Sequence, residues 1–283
     1  VNITILGCGD VGLRTAALLR SQHHISAAKR NPDTLPDWID ARRCDVGDPS
    51  SLGWLAQHPC DVMIYALAAA GFNDDDYRLA YVDGVANVIA ALGTNLAGLK
   101  RLIFVSSTGV YHQNDGSIVD EASATEPARF NGQRMLEGEQ KILATGKGTN
   151  VRFSGIYGPG RLRMINRVAS GNFTPPSRSS LTNRIHVDDC AGVLAHLVGQ
   201  LESGDIDDCY LASDDRPATT TDVESFIASE LGLQHAPSEE HQEMTSGRIA
   251  GSKRCSNARL RASGYSFKYP DYRSGYHELI ITR

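Results

Sequence analysis

Three glycines near the head of the chain, in Gly7-Cys8-Gly9-Asp10-Val11-Gly12, have the spacing of a turn that cradles phosphate. An apolar run, Ile3-Thr4-Ile5-Leu6, leads in and Leu13-Arg14-Thr15-Ala16-Ala17-Leu18-Leu19 leads out, so the reading is strand, tight turn and helix. One glycine makes the turn, one lets backbone amides reach a pyrophosphate with no side chain between, and one lets helix and strand pack closely. The pyrophosphate then meets the positive end of the helix dipole. Gly7, Gly9, Asp10, Val11 and Gly12 are expected to hold a dinucleotide.

A second concentration of chemistry lies mid-chain. From Lys141 through Val187 there is no Asp or Glu, yet the stretch carries Arg152, Arg161, Arg163, Arg167, Arg178 and Arg184. The planar arginine fork suits phosphate or carboxylate. Some of these side chains can pair with carboxylates elsewhere, and others are expected to face a small anionic metabolite.

Composition excludes other classes. A chain of 283 residues, 41% hydrophobic, can bury one large core or two lobes sharing a cleft. Its net charge of −5 gives no electrostatic case for nucleic acid or a membrane surface. No stretch approaches the roughly 20 apolar residues that span a bilayer, and a core strand at the start leaves no room for a signal peptide. A cytoplasmic protein is expected. The cysteines Cys8, Cys44, Cys60, Cys190, Cys209 and Cys255 stand singly, which reads as reduced packing residues and no metal site.

Strand and helix signals alternate along the first half. Helix is expected over 10–21, strands over 24–28, 42–45, 61–67 and 101–106, a crossover helix over 49–58 and one long helix over 74–96. This pattern predicts an α/β fold, a doubly wound parallel Rossmann sheet that binds ligands at the carboxyl ends of its strands. Ala66 and Leu67, at one such end, join the expected cofactor set. Arg30 closes the second strand where an acid would favour NAD; a basic residue suits the 2′-phosphate, so NADP(H) is favoured over NAD(H).

Phe104-Val105-Ser106-Ser107-Thr108-Gly109-Val110-Tyr111 resembles the FxSSxxVYG signature of the extended short-chain dehydrogenase/reductases, the NAD-dependent epimerase/dehydratase family. Tyr81-Val82-Asp83-Gly84-Val85-Ala86-Asn87-Val88 is similar to its YxxGxxNVL helix, Arg152 through Gly160 to its RxxxVYGPG turn, and Arg184-Ile185-His186-Val187-Asp188-Asp189 to its IHVDD segment. The resemblance spans about residues 1 to 192 and implies a Rossmann domain over 1–155. A smaller substrate lobe over 156–283 is implied, with about 185–200 packing back on the first domain. Asp45 and Val46 fall where the family contacts adenine, Ser107 matches its catalytic serine, and Asp188 or Asp189 is expected to cap a helix. Arg161 and Arg184 adjoin motifs that line the family's substrate lobe, so they are expected to hold the substrate's negative charge. Related enzymes often pair through the helices around Tyr81 and Gln133, which implies a homodimer as one arrangement.

The departure is equally specific. These enzymes use a tyrosine and lysine spaced YxxxK, in which the ammonium lowers the phenol pKa for proton exchange. No tyrosine here has a lysine four residues later. One register puts Phe130 and Arg134 at those positions; the other, aligned on Glu139, puts Asn131 and Met135 there. Tyr111 can act in catalysis or support the strand end through packing or a hydrogen bond. Arg134 can polarise a carbonyl or sit on a helix surface. Two functions follow: an NAD(P)-dependent oxidoreductase or epimerase/dehydratase-like enzyme acting on a small anionic, nucleotide-sugar-like substrate, or a non-catalytic NADP(H)-binding redox sensor. The stretch Pro237 to Gly247 reads as a surface loop.

Overall fold

The computed structural model describes residues 1–175, 178–204, 206–233 and 253–282; the loop expected over 237–247 lies outside the described residues. Two compact units emerge. The first is Val1–Tyr111, Ala124–Arg152 and Ala191–Tyr210, and the second is His112–Ser123, Phe153–Cys190 and Leu211–Arg283.

Apolar runs become the central sheet: β1 (Asn2–Leu6), β2 (His24–Lys29), β3 (Asp40–Arg43), β4 (Val62–Tyr65), β5 (Arg101–Ser107), β7 (Gly148–Phe153) and β11 (Cys209–Ala212). Their spatial order is β11-β7-β5-β4-β1-β2-β3, and β3-β2, β2-β1, β1-β4 and β4-β5 all pair in parallel. Every residue of β4 is buried, hence a continuous apolar run without alternation. Because β1 lies between β2 and β4, the strand order reverses there, and a ligand crevice belongs beyond the carboxyl ends of β1 and β4.

The first unit's helices are α1 (Asp10–Leu19), α2 (Trp54–Gln57), α3 (Asp74–Arg78), α4 (Gly84–Leu92), α5 (Asn95–Gly98) and α6 (Phe130–Leu143). The crossover expected over 49–58 is a single turn at Pro49–Leu52, capped by the Asp48 carboxylate on Ser50 N–H, followed by α2. The long helix expected over 74–96 is interrupted twice. Leu79–Asp83 forms a π-helical turn between α3 and α4, where the Tyr65 hydroxyl donates to the Ala80 carbonyl at 2.5 Å and draws that acceptor out of the ladder. Gly93, at φ +51°, then ends α4.

In the second unit β8 (Gly155–Tyr157) runs parallel to β10 (Arg184–His186), and β6 (Ile118–Val119) parallel to β13 (Arg254–Cys255). β9 (Leu181–Thr182) runs antiparallel to β12 (Ala218–Thr219). The helices α7 (Arg163–Ala169), α9 (Thr220–Glu230) and α11 (Tyr272–Ile281) share a core of Ile165, Val168, Val223, Ile227, Tyr272 and Tyr276; α10 (Ala258–Ala262) precedes α11. Asp188 and Asp189, of which one is the expected cap, lie in the first turn of α8 (Val187–Ser203), and the carboxylate of Asp189 is engaged elsewhere. It accepts from the N–H groups of Lys268 (2.7 Å) and Tyr269 (2.9 Å) and from the Tyr265 hydroxyl (2.8 Å), tying residues 265–269 to the helix start. Among the described residues no helix is long and apolar enough to cross a membrane. All six cysteines are free thiols.

Candidate cofactor and active site

Gly7 has φ +80°, and a methyl group there would lie 2.7 Å from the backbone of Leu67 and 2.8 Å from that of Ala66. Glycine is thus required both by torsion and by the close approach of the chain leaving β4. Gly7 N–H donates to the Ala28 carbonyl (2.9 Å) and Ala66 N–H to the Leu6 carbonyl (2.8 Å), so the ends of β1, β2 and β4 meet around this turn. Gly12 is required by packing, since a methyl group would sit 3.2 Å from Ile5 Cγ2 and 3.3 Å from the Gly7 carbonyl oxygen.

Gly9 is different. A methyl group there would meet nothing closer than the Gly7 carbonyl oxygen at 3.9 Å, and its φ of −85° suits any residue. Among the described residues no contact explains the glycine, and the space beside the turn is open to a ligand. Gly9 is also the N-cap of α1, and no side chain caps that end, so its first-turn amides suit an anion. In that turn, Asp10 pairs with Arg14 at 2.7 Å and Val11 accepts the Thr15 hydroxyl through its carbonyl. Burial pushes the Cys8 thiol up to about 11, against a smaller opposing pull from Lys29, so it is no nucleophile near neutral pH. These residues fit a dinucleotide pyrophosphate.

Arg30 is exposed just beyond β2. Arg43, the residue opposite Lys29 in the β2–β3 register, donates from Nη1 to the Arg30 carbonyl at 3.1 Å and approaches Asp33 at 3.9 Å. The sequence reading missed Arg43 because only strand pairing brings it beside Arg30. Asp45 shapes its own loop, accepting from Gly47 N–H (2.9 Å). Val46 is buried, and its carbonyl accepts from Asn87 Nδ2 (2.9 Å). A methyl group on Gly84 would lie 2.6 Å from Val46 Cγ2, so Gly84 and Asn87 of the YxxGxxN helix act by holding the 45–46 loop.

Ser107 ends β5, half-buried, and its Oγ accepts from Gly109 N–H at 3.1 Å, which leaves the hydroxyl hydrogen to donate. Below it runs a buried charged chain. Ser106 donates to Glu139 (2.5 Å), Arg152 grips the same carboxylate through Nε (2.9 and 3.2 Å) and Nη2 (2.6 Å), and Arg152 Nη1 reaches the Tyr111 hydroxyl at 2.9 Å. Burial opposes the Arg152 charge, but Glu139 outweighs it and holds the guanidinium protonated. Tyr111 is therefore a bracing residue under the Ser107 turn. Arg134 is bound in a fork to Asp74 (2.7 and 2.9 Å) and to Glu137 (2.7 Å), which ties α6 to α3 and engages the donors that a substrate carbonyl would need.

The start of α6 is pressed onto the Ser107–Gly109 turn, because a methyl group on Gly132 would collide with the Gly109 carbonyl oxygen and come within 2.6 Å of Pro127 Cβ. Asn131 faces that turn. A Cβ on Gly109 would lie 3.3 Å from Ser107 Oγ and 3.7 Å from Asn131 Nδ2, while Phe130 turns away into ring contacts with Phe72 (5.2 Å) and Tyr77 (5.4 Å). Of the two registers, the structure sets Asn131 against the Gly109 turn that follows Ser107, with Met135 buried one turn on.

In the second unit, Arg161 is half-buried after the Gly158-Pro159-Gly160 turn, its N–H donating to the Gly158 carbonyl at 2.9 Å. Arg184, expected to face a ligand, is enclosed: it is 5% exposed, donates to Thr182 Oγ1 and lies 5.4 Å over the Tyr272 ring. Its position in a fully buried three-residue strand accounts for this. Arg167 pairs with Glu224, so the acid-free stretch finds some of its carboxylates further along the chain.

Residues 7–135 match a family of NAD(P)H-binding domains, and this segment is an NAD(P)-binding domain. None of the curated proteins is a significant match. Among solved structures, a putative NAD-dependent epimerase/dehydratase from Methylobacillus flagellatus is 36% identical, with 99% of this chain and 98% of that chain covered and a TM-score of 0.84. A UDP-glucose 4-epimerase from Thermotoga maritima, solved with UDP-glucose, has a TM-score of 0.82 at 15% identity over 99% and 98% of the two chains. One from Thermus thermophilus, solved with NAD, has a TM-score of 0.80 at 17% identity over the same shares, 99% and 98%. The latter two share the fold, whereas 36% identity across essentially both whole chains, joined to the glycine turn and the Ser107 strand end, places this protein in the extended short-chain dehydrogenase/reductase superfamily, within the NAD-dependent epimerase/dehydratase family.

Proposed function

We propose that the protein is an NADP(H)-dependent oxidoreductase or epimerase/dehydratase-like enzyme acting on a small anionic substrate of nucleotide-sugar type. The observation that carries this reading is a cofactor cradle and a donor-ready Ser107 on one sheet: Gly9 is a glycine that no protein contact requires, and Ser107 ends β5 with its hydroxyl hydrogen uncommitted. The bound nicotinamide supplies or accepts a hydride. The chain's own groups hold the reacting oxygen. Ser107 donates to it, and the Asn131 carboxamide adds a second polar contact beside it. Neither group changes charge, so the pair polarises the oxygen, and the proton that accompanies the hydride is exchanged with solvent water.

NADP(H) is preferred in this reading because Arg30 follows β2 and Arg43, the last residue of β3, bonds the Arg30 carbonyl. A charge-assisted bond to a 2′-phosphate contributes about 1.5–3 kcal/mol, or roughly ten-fold or more in affinity. Arg161 is the better candidate for the substrate's negative charge, since Arg184 is enclosed. Calorimetric titration with NADPH and NADH, and turnover of nucleotide sugars by the wild type and Ser107→Ala, test the proposal. Tighter NADPH binding and a large loss of turnover in Ser107→Ala with unchanged NADPH affinity are expected. Equal cofactor affinities, or full activity in Ser107→Ala, would refute it.

Asn131 beside Ser107 favours one other reading, a non-catalytic sensor of the NADP redox state. Normal NADPH binding with no turnover across a screen of carbonyl compounds and nucleotide sugars would select the sensor.

A further inference from the structure

The Tyr157 hydroxyl, Arg184 Nη1 and Asp214 Oδ2 are among the buried polar atoms of the second unit that have no hydrogen-bond partner among the described residues. Their residues are 4%, 5% and 1% exposed. All three belong to one layer. In the parallel pair β8–β10, Tyr157 stands opposite His186, and Arg184 lies two residues before His186, so Tyr157 and Arg184 project from the same face. α11 covers that face, with Tyr272 under the Arg184 guanidinium, the Tyr276 ring 4.6 Å from that of Tyr157, and Gly275 so close to the Tyr157 hydroxyl that a Cβ has no room.

Asp214 joins from the end of β11. Its N–H donates to the Arg184 carbonyl (2.8 Å) and its Oδ1 accepts from Arg216 N–H (3.1 Å), which leaves Oδ2. Arg184 and Asp214 act electrostatically on each other and on Tyr157, yet Nη1 and Oδ2 make no hydrogen bond to one another. A buried polar atom left unpaired costs the full desolvation of its group, and native structures satisfy such atoms with protein or with ordered water.

We infer that internal water bridges the Tyr157 hydroxyl, Arg184 Nη1 and Asp214 Oδ2, forming an enclosed water site between the β8–β10 ribbon and α11. The set calls for a neutral molecule that both accepts and donates. Water accepts from Nη1 and from the tyrosine O–H and donates to Oδ2, about the three bonds that buried waters usually make. An anion would satisfy Arg184 and Tyr157 but set its charge against Asp214 wherever that carboxyl is ionised, and a cation would be set against Arg184 throughout; water, which can donate to Oδ2 or accept from it, suits either state of Asp214. The site gives Tyr157 of the GIYGPG turn and Arg184 of the RIHVDD segment an internal task, independent of the proposed activity.

The test is a crystal structure of the full chain, grown without sulfate or phosphate, at a resolution that separates individual waters. Spherical density within hydrogen-bond distance of at least two of the three atoms is expected, kept after a sulfate soak and retained with one contact fewer in Tyr157→Phe. In solution, oxygen-17 relaxation should detect a long-lived internal water that is lost in the Arg184→Met/Asp214→Leu double variant. Arg184 Nη1 bonded directly to Asp214 Oδ2 with no density between them would overturn the inference. Tetrahedral density on Nη1 after the sulfate soak would overturn it too, and would return Arg184 to the anion-binding role.

Discussion

Replacing Arg152 by methionine strands a carboxylate in the core. Glu139 is 1% exposed and Arg152 7%, and the guanidinium supplies three of the carboxylate's contacts, at 2.6, 2.9 and 3.2 Å. Removing one partner of such a buried pair costs about 3–5 kcal/mol, because the remaining charge keeps its desolvation penalty with no compensation. Against a typical domain stability of about 5–15 kcal/mol, that is a large fraction. Urea unfolding followed by tryptophan fluorescence isolates the right unit, since Trp38 and Trp54 both lie in the first. Removing the buried charges and the serine together by apolar replacement, Ser106→Ala/Glu139→Leu/Arg152→Met, should recover most of the loss, because no buried charge is then left uncompensated and only the neutral Tyr111 hydroxyl loses its Arg152 contact. A deficit under about 1 kcal/mol in Arg152→Met, or a triple variant as unstable as the single one, would refute the reasoning.

Gly9→Ala should leave the urea midpoint nearly unchanged, since no protein atom lies within 3.9 Å of the added methyl, yet weaken NADPH binding measured by fluorescence; Gly7→Ala, at φ +80° and 2.7 Å from the Leu67 backbone, should lower stability itself. Burial, partly offset by Arg184, pushes Asp214 up to about 7. Its native state therefore holds a proton that the unfolded chain has released, a stabilisation that is full below about pH 4 and lost as pH rises through about 7, worth at most about 4 kcal/mol. Asp214→Asn should flatten the stability profile over that window, and an unchanged slope in chemical denaturation between pH 4 and 8 would count against it. Arg30→Ala should cost about ten-fold in NADPH affinity while leaving NADH binding unaltered, and isothermal titration of both cofactors decides it.

What could be read from the chain beforehand divides by how local the cause is. The glycine turn, the buried run of β4 and the serine at the end of β5 are each specified by neighbours in sequence, and each stands in the structure where the pattern put it. The break in the helix over 74–96 is not local: it comes from a tyrosine on β4 whose hydroxyl takes the Ala80 carbonyl, so no periodicity within 74–96 could have shown it. Arg43 joins Arg30 only through the β2–β3 register, and the choice between Phe130 and Asn131 is made by Gly132 packing on Gly109, a contact 23 positions away in sequence. Arg184 is a case where burial, too, is set from a distance. Its charge and its place beside a motif suggested a ligand, but a single residue's sequence position does not say which face of a buried three-residue strand it occupies, and here that face is covered by α11. The placement of Asn131 against the Gly109 turn is thus a feature that only the packing of α6 could establish. It bears most directly on chemistry, because under the proposed function a serine hydroxyl and a carboxamide, neither of which ionises near neutral pH, predict turnover without the ionisation of a catalytic phenol in the pH profile.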